Sequence, residues 1–217
     1  MATIKVYNND ENRMETYFRG ENEPMPYNIG NTLRVGEFRG SSRSDILWTE
    51  KRAMQSWNNF RSLYGRSIFV GYAFKRPTEG GHGKQSQHYA GVSFDVGQNL
   101  NNAQRAEMRS LAVNSGFWNY VEPVYLSPTW VHFDRRRGTP ACPAGGYPVT
   151  RHGDIGAYVL ILQDALNSLG YGTGGLDGIF GQGTLNAVIA YQNRKGLVPD
   201  GVVGCITWVN LMDEVVP

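Results

Sequence analysis

Ser86-Gln-His88-Tyr-Ala-Gly-Val-Ser-Phe-Asp95 and Trp130-Val-His132-Phe-Asp134 are two short stretches in which bulky apolar residues alternate with side chains able to bind a metal. Val92, Phe94 and Val96 take one parity of the first, Ser93 and Asp95 the other. In the second, Val131 and Phe133 oppose His132 and Asp134. Successive strand residues face opposite sides of a sheet, so burying the apolar parity presents Asp95 and His132 together on the other side. His88 stands just before the first strand and can reach back over it. Two imidazoles and one carboxylate, with a coordination position left for water, are the donor set of a catalytic zinc centre. Other divalent metals also accept two nitrogens and an oxygen.

Around these stretches the pattern is one of strands interspersed with a few helices, an α+β class. Residues 2 to 8 and 13 to 20 read as two strands flanking a turn at Asn8-Asn-Asp10. A helix is expected from about Asp45 to Tyr64, with Leu47, Met54, Trp57, Phe60 and Tyr64 on its buried face and Gly65 stopping it. Ser67 to Phe74 reads as a buried strand, Asn102 to Ser115 as a helix capped by Asn102, and 118–126 and 130–134 as closing strands. Residues 78 to 87 are glycine-rich, and His82 among them reads as an exposed loop histidine rather than a fourth ligand. Ser86 and Ser93 read as supporting residues, since nothing supplies a Gly-x-Ser-x-Gly nucleophile.

Between residues 138 and 149 the chain reads Gly-Thr-Pro-Ala-Cys-Pro-Ala-Gly-Gly-Tyr-Pro-Val, a composition that breaks regular elements and marks a linker over 139–149. The linker separates a domain at 1–138 from a second at 150–217. In the second, Asp154 is placed to cap a helix carrying Val159, Leu162, Leu166 and Leu169, and Thr184 a second carrying Leu185, Val188, Ile189 and Gln192. A third starts near Ile206-Thr207. The turns before the last two helices repeat, as Asp177-Gly-Ile-Phe-Gly-Gln-Gly-Thr184 and Asp200-Gly-Val-Val-Gly-Cys-Ile-Thr207. Glycine permits a positive-φ turn, the following apolar residue plugs the core, and threonine can cap the next helix. The two cysteines, Cys142 and Cys205, read equally as a disulfide from linker to tail or as two thiols.

The first pair of motifs resembles the zinc D-Ala-D-Ala carboxypeptidases and L,D-endopeptidases of bacterial cell walls, with the pattern Ser-x-His-x-x-Gly-x-Ser/Ala-x-Asp followed by Val-His-x-Asp. The resemblance covers roughly residues 30 to 138. It implies an antiparallel-sheet zinc peptidase domain with His88, Asp95 and His132 as metal ligands, zinc as cofactor, and hydrolysis of peptidoglycan stem peptides. In that family a strand ending in Tyr-Arg or Arg-Pro turns an arginine toward the substrate carbonyl or carboxylate. Arg76 matches that place approximately, because Ala73, Phe74 and Lys75 separate it from Tyr72. Many relatives hold a Glu or Asp three residues before the last histidine, or a His two before. Here those positions are Thr129 and Trp130, which do not titrate usefully. Asp134, on the parity of His132, is the first candidate for the base, with support of a ligating histidine as its other role, and Glu122 is the second. The doubled Asp-Gly turn, with Val159-Leu-Ile-Leu-Gln163 and Ala187-Val-Ile-Ala-Tyr-Gln192, resembles the all-α three-helix peptidoglycan-binding domain over residues 150 to 214.

Composition adds bounds. A net charge of +2 with 41% hydrophobic residues describes an ordinary globular chain. Arg135-Arg136-Arg137 is the one dense basic cluster, lacks an accompanying basic or aromatic stripe, and reads as a solvated turn rather than a nucleic-acid patch. No stretch has the length of a membrane span, and the opening residues lack the apolar core of a secretory signal. Together with the resemblance this predicts a monomer acting at the bacterial cell wall and reaching it by lysis, sporulation or another route, with peptidoglycan as partner. Two function classes follow, a wall-anchored zinc peptidase and a catalytically inactive wall binder on a degenerate peptidase scaffold.

Overall fold

The amino-terminal alternation folds as expected. In the computed structural model, which describes residues 1–217, β1 (Ala2–Asn8) and β2 (Arg13–Arg19) pair antiparallel across the Asn-Asn-Asp turn. The helix expected from Asp45 begins later. Ile46–Glu50 is a strand, β3, which pairs parallel to β1 and gives the order β2-β1-β3. Leu47 and Trp48 are buried in it, so the apolar residues assigned to a first helical turn serve a sheet instead. A short helix, α1 (Val35–Arg39), precedes β3. After it come α2 (Lys51–Tyr64), which ends at left-handed Gly65, and β4 (Val70–Tyr72), shorter than the strand expected there.

The two ligand motifs lie on β5 (Ser93–Val96) and β7 (Val131–Asp134), the central pair of an antiparallel sheet of order β4-β5-β7-β6. Between them run α3 (Asn102–Ser115) and the two-residue β6 (Tyr120–Val121). Asn101, one residue before the expected cap, holds the start of α3 by accepting from the Gln104 N–H at 2.9 Å. The apolar parity packs as the alternation demands. Phe94 lies 4.8 Å from Trp57 and 5.7 Å from Trp118, and Phe133 stacks on Trp118 at 4.2 Å between ring centres. Trp118 is thus a core residue. Burying each such ring contributes about 2 kcal/mol or more, which fixes the register that turns Asp95 and His132 the other way.

The segment read as a linker is ordered. Pro140–Cys142 (β8) and Gly145–Pro148 (β9) form a hairpin, and Cys142 is disulfide-bonded to Cys205. Prolines and glycines here shape a short two-stranded turn, because the hairpin is held against both halves of the chain. Tyr147 donates to the Ser86 carbonyl at 2.9 Å, and Trp208 Nε1 donates to the Pro148 carbonyl at 2.9 Å. One continuous core of buried apolar residues runs from Ala2 to Val216.

Three helices complete the chain, α4 (Ala157–Ser168), α5 (Gln182–Arg194) and α6 (Cys205–Val215). Their N-caps are Gly156, Gly181 and Gly204, not Asp154 or Thr184. Thr184 and Thr207 have a different use, and so do the repeated turns. The two N–H groups of Gln163 Nε2 are shared among Asp177 Oδ1, the Ile179 carbonyl and Thr184 Oγ1; those of Gln192 Nε2 are shared among Asp200 Oδ1, the Val202 carbonyl and Thr207 Oγ1. Each glutamine oxygen then accepts the N–H of the turn glycine, Gly178 or Gly201, at 2.9 Å. The sequence repeat is a repeated buried hydrogen-bond cassette, in which one amide satisfies a whole turn.

Candidate metal centre

Asp95 and His132 are direct cross-strand partners, so their side chains leave the sheet on one face. His132 Nδ1 is 2.7 Å from Asp95 Oδ1, and His88 Nε2 is 3.2 Å from Asp95 Oδ2. One carboxylate oxygen is thus hydrogen-bonded to His132, and the other lies close to His88 Nε2 without a hydrogen bond. His88 reaches the face from the turn before β5. Its Nδ1 lies 3.0 Å from the Ala73 carbonyl, a partner that needs a proton on Nδ1 and leaves Nε2 as the free donor.

The turn is pinned to β3. Trp48 Nε1 donates to the Tyr89 carbonyl at 2.7 Å and Thr49 Oγ1 to the Gly91 carbonyl at 2.7 Å. Gly91 has φ +67° and a Cβ there would come 2.0 Å from the Trp48 carbonyl oxygen. Both the backbone conformation and the close approach require glycine. Gly91→Ala is therefore expected to lower the unfolding free energy by about 3 kcal/mol, measured by urea titration.

His82 belongs to the same cluster, contrary to its reading as an exposed loop residue. A ligand-capable atom of each of His82, His88 and Asp95 lies within 4.8 Å of the other two. The His82 ring stacks on His88 at 4.3 Å, and three of the chain's four histidines meet here. Nε2 of His82 and Nε2 of His88 are both buried without a hydrogen-bond partner. Buried polar atoms rarely stay unpaired. Two orphaned imidazole nitrogens beside a carboxylate are what a cation's donor set looks like without the cation, so the residues fit a divalent metal such as zinc.

Burial would raise the Asp95 pKa, yet the His132 and His88 imidazoles hold the carboxyl well below its usual range. Burial, with His88 beside it, pushes the His82 imidazole down to about 3, so it is neutral and able to ligate. Burial also disfavours charge on His132, but Asp134 and Asp95 lift it to about 9. A pKa raised on folding stabilises fully below the ordinary value of 6.5 and loses that contribution as pH rises through about 9. We expect chelator-treated protein to lose denaturant resistance across that window, and His132→Gln to lack this loss.

Several residues assigned roles from sequence have other occupations. Asp134 is fully buried, with Oδ2 at 3.2 Å from His132 Nε2 and Oδ1 accepting from Arg136 Nε at 2.8 Å. With Arg136 Nη2 also on Oδ2, neither oxygen is free to take a proton from water, and the geometry is that of a group orienting His132. Arg76 is on another partner. Its guanidinium pairs bidentately with Asp164 of α4, so it ties the two halves of the chain together instead of facing a substrate. Arg136 and Arg137 are likewise structural. Arg136 lies on Asp134, while Arg137 donates to the Ile155 carbonyl at 3.2 Å and sits 4.7 Å over the Tyr7 ring.

Glu122 comes closer to expectation. Its N–H donates to the His132 carbonyl at 2.9 Å, which continues the β6–β7 register and places Glu122 opposite His132 on the same face. It is half-buried. Tyr72, to which the sequence reading gave no role, packs its ring 4.0 Å from His82 and 5.0 Å from His88, with a buried hydroxyl that has no partner. No spacing rule links Tyr72 or His82 to the motif; their proximity comes from the path of β4 and the glycine-rich loop.

The carboxy-terminal segment carries a peptidoglycan-binding domain. Residues 156–211 match the family described as "Putative peptidoglycan binding domain". A relative from Kitasatospora aureofaciens, described as "Uncharacterized protein in bpoA1 3'region", is 44% identical over 78 residues, 34% of this chain and 66% of its own length. A peptidoglycan-binding protein from Clostridioides difficile, solved with glutamine hydroxamate, is 40% identical over 32% of this chain and 43% of its own, with a TM-score of 0.31. The SleB N-terminal domain is 37% identical over 31% of this chain and 92% of its own, with a TM-score of 0.30. The chain thus spans less than two thirds of the C. difficile protein it matches. No helix is long and apolar enough to cross a membrane.

Proposed function

We propose that the chain is a zinc-dependent peptidase that hydrolyses peptide bonds in peptidoglycan stems, as a D,D-carboxypeptidase or L,D-endopeptidase, and is held on the wall by its peptidoglycan-binding domain. The observation that carries the reading is the gathering of His88, Asp95 and His132 at one face of a sheet, with Nε2 of His88 and of neighbouring His82 buried without a hydrogen-bond partner. His88, Asp95 and His132 would hold the ion, with Asp134 orienting His132. A zinc ion there supplies a Lewis acid for the scissile carbonyl and the attacking water.

In this reading Glu122 takes the proton released as water adds to the carbonyl carbon. It returns that proton to the amide nitrogen as the C–N bond breaks. Tyr72, with a hydroxyl proton and no competing acceptor, is placed to donate to the developing oxyanion. Wall attachment would use the carboxy-terminal domain, where exposed Val198 and Ile206 flank a groove lined by Gln192, Leu197, Asp200 and Thr207. Attachment raises the effective concentration of stem peptides at the active centre.

Incubation with purified sacculi tests this. Amino groups are expected to appear, to stop with chelator, and to resume with zinc. His88→Ala is expected to abolish the release. Thr129 and Trp130, at positions where relatives hold a base, favour a second reading as a non-catalytic wall binder. Protein that pellets with sacculi yet releases no amine at any zinc concentration would establish that alternative.

A further inference from the structure

We propose that His82 is a displaceable fourth ligand that closes the metal centre, so that the loop carrying it must move before a substrate carbonyl can reach the ion. The proposal rests on the zinc reading above. Catalytic zinc sites keep three protein ligands and one open position, whereas sites with four protein ligands are closed and structural. Here four side chains gather, His82, His88, Asp95 and His132. The first three satisfy mutual ligand distance, and His132 reaches the same carboxylate from its other oxygen.

His82 differs from the other three in how it is held. His88, Asp95 and His132 stand on or beside the sheet, whereas His82 lies in Gly80-Gly81-His82-Gly83. Gly80 and Gly81 adopt φ +62° and +93°, conformations that favour glycine, in a loop outside any strand or helix. The His82 backbone is bonded by one side chain. Tyr89 Oη accepts from the His82 N–H at 3.3 Å and donates to the His82 carbonyl at 3.1 Å. Its ring rests between Tyr72 and His88, and its Nε2 is buried with nothing to bond. An imidazole that gains no hydrogen bond from its buried position gains a partner when an ion arrives, which favours the closed loop. Displacing it would uncover the fourth position and the Tyr72 hydroxyl together.

The test uses the full chain with cobalt(II) in place of zinc, because its visible absorption reports coordination number. Wild type is expected to give the intense bands of a four-coordinate ion. His82→Ala is expected to give a spectrum that changes with pH, because a water able to lose a proton takes the fourth position, and a metal dissociation constant raised about tenfold or more. Added free imidazole should restore the pH-independent wild-type spectrum in His82→Ala, which separates a lost ligand from a damaged fold. Identical spectra and affinities in wild type and variant would overturn the proposal while leaving the zinc reading intact. Wild type that binds neither cobalt nor zinc would overturn both.

Discussion

Asp95→Asn is expected to lower amine release from sacculi by at least about a thousandfold, equivalent to about 4 kcal/mol of lost transition-state stabilisation. The substitution keeps the volume of the side chain and removes its charge. Asp95 is the single group touching both His88 and His132, one through each carboxylate oxygen. An amide would present one oxygen and one NH2 to the two imidazoles, and in the proposed centre the ion would lose its only anionic ligand. Titration calorimetry should show zinc affinity falling with the activity. Sedimentation with sacculi should be unchanged, because the wall-binding match lies at residues 156–211, in other elements. An Asp95→Asn protein that cleaves at the wild-type rate would refute the metal mechanism.

Arg76→Met is expected to cost about 3 kcal/mol of unfolding free energy near neutral pH, through a different route. Asp164 is 1% exposed, and Arg76 is its only ion-pair partner. Burial already raises the Asp164 pKa, and Arg76 works against that rise. Without the guanidinium the carboxyl titrates higher still. A raised folded pKa means the deficit shrinks toward acid pH, where Asp164 is protonated, and grows as pH rises through that pKa. Arg76→Met with Asp164→Leu should recover most of the loss, since apolar replacement of a buried pair is often neutral. Equal deficits in the single and double variants, by guanidinium titration, would show that the pair is not what couples the halves.

Much of this was legible in the residues. The alternation of Val92, Phe94 and Val96 against Ser93 and Asp95 fixed which face each side chain takes, and the observed Asp95–His132 pairing agrees with it. The repeated Asp-Gly turn marked the helical domain. Helix α3 and the β1–β2 hairpin lie where propensity put them. What failed depended on distant partners. Ile46–Glu50 has the apolar content of a helical turn or a strand, and only β1 alongside it decides. Residues 140 to 148 have a linker's composition and become a hairpin because Cys205 and Trp208 hold them.

For the site the division is the same. Local sequence determined the ligand types and their side of the sheet, because strand periodicity is a property of the backbone itself. Only the tertiary structure decided that Asp134 faces Arg136 and His132, that Arg76 is bound to Asp164, and that His82 comes to rest on His88. Charged and aromatic side chains on loops take the partner that burial makes available, and that partner is set by how remote segments pack.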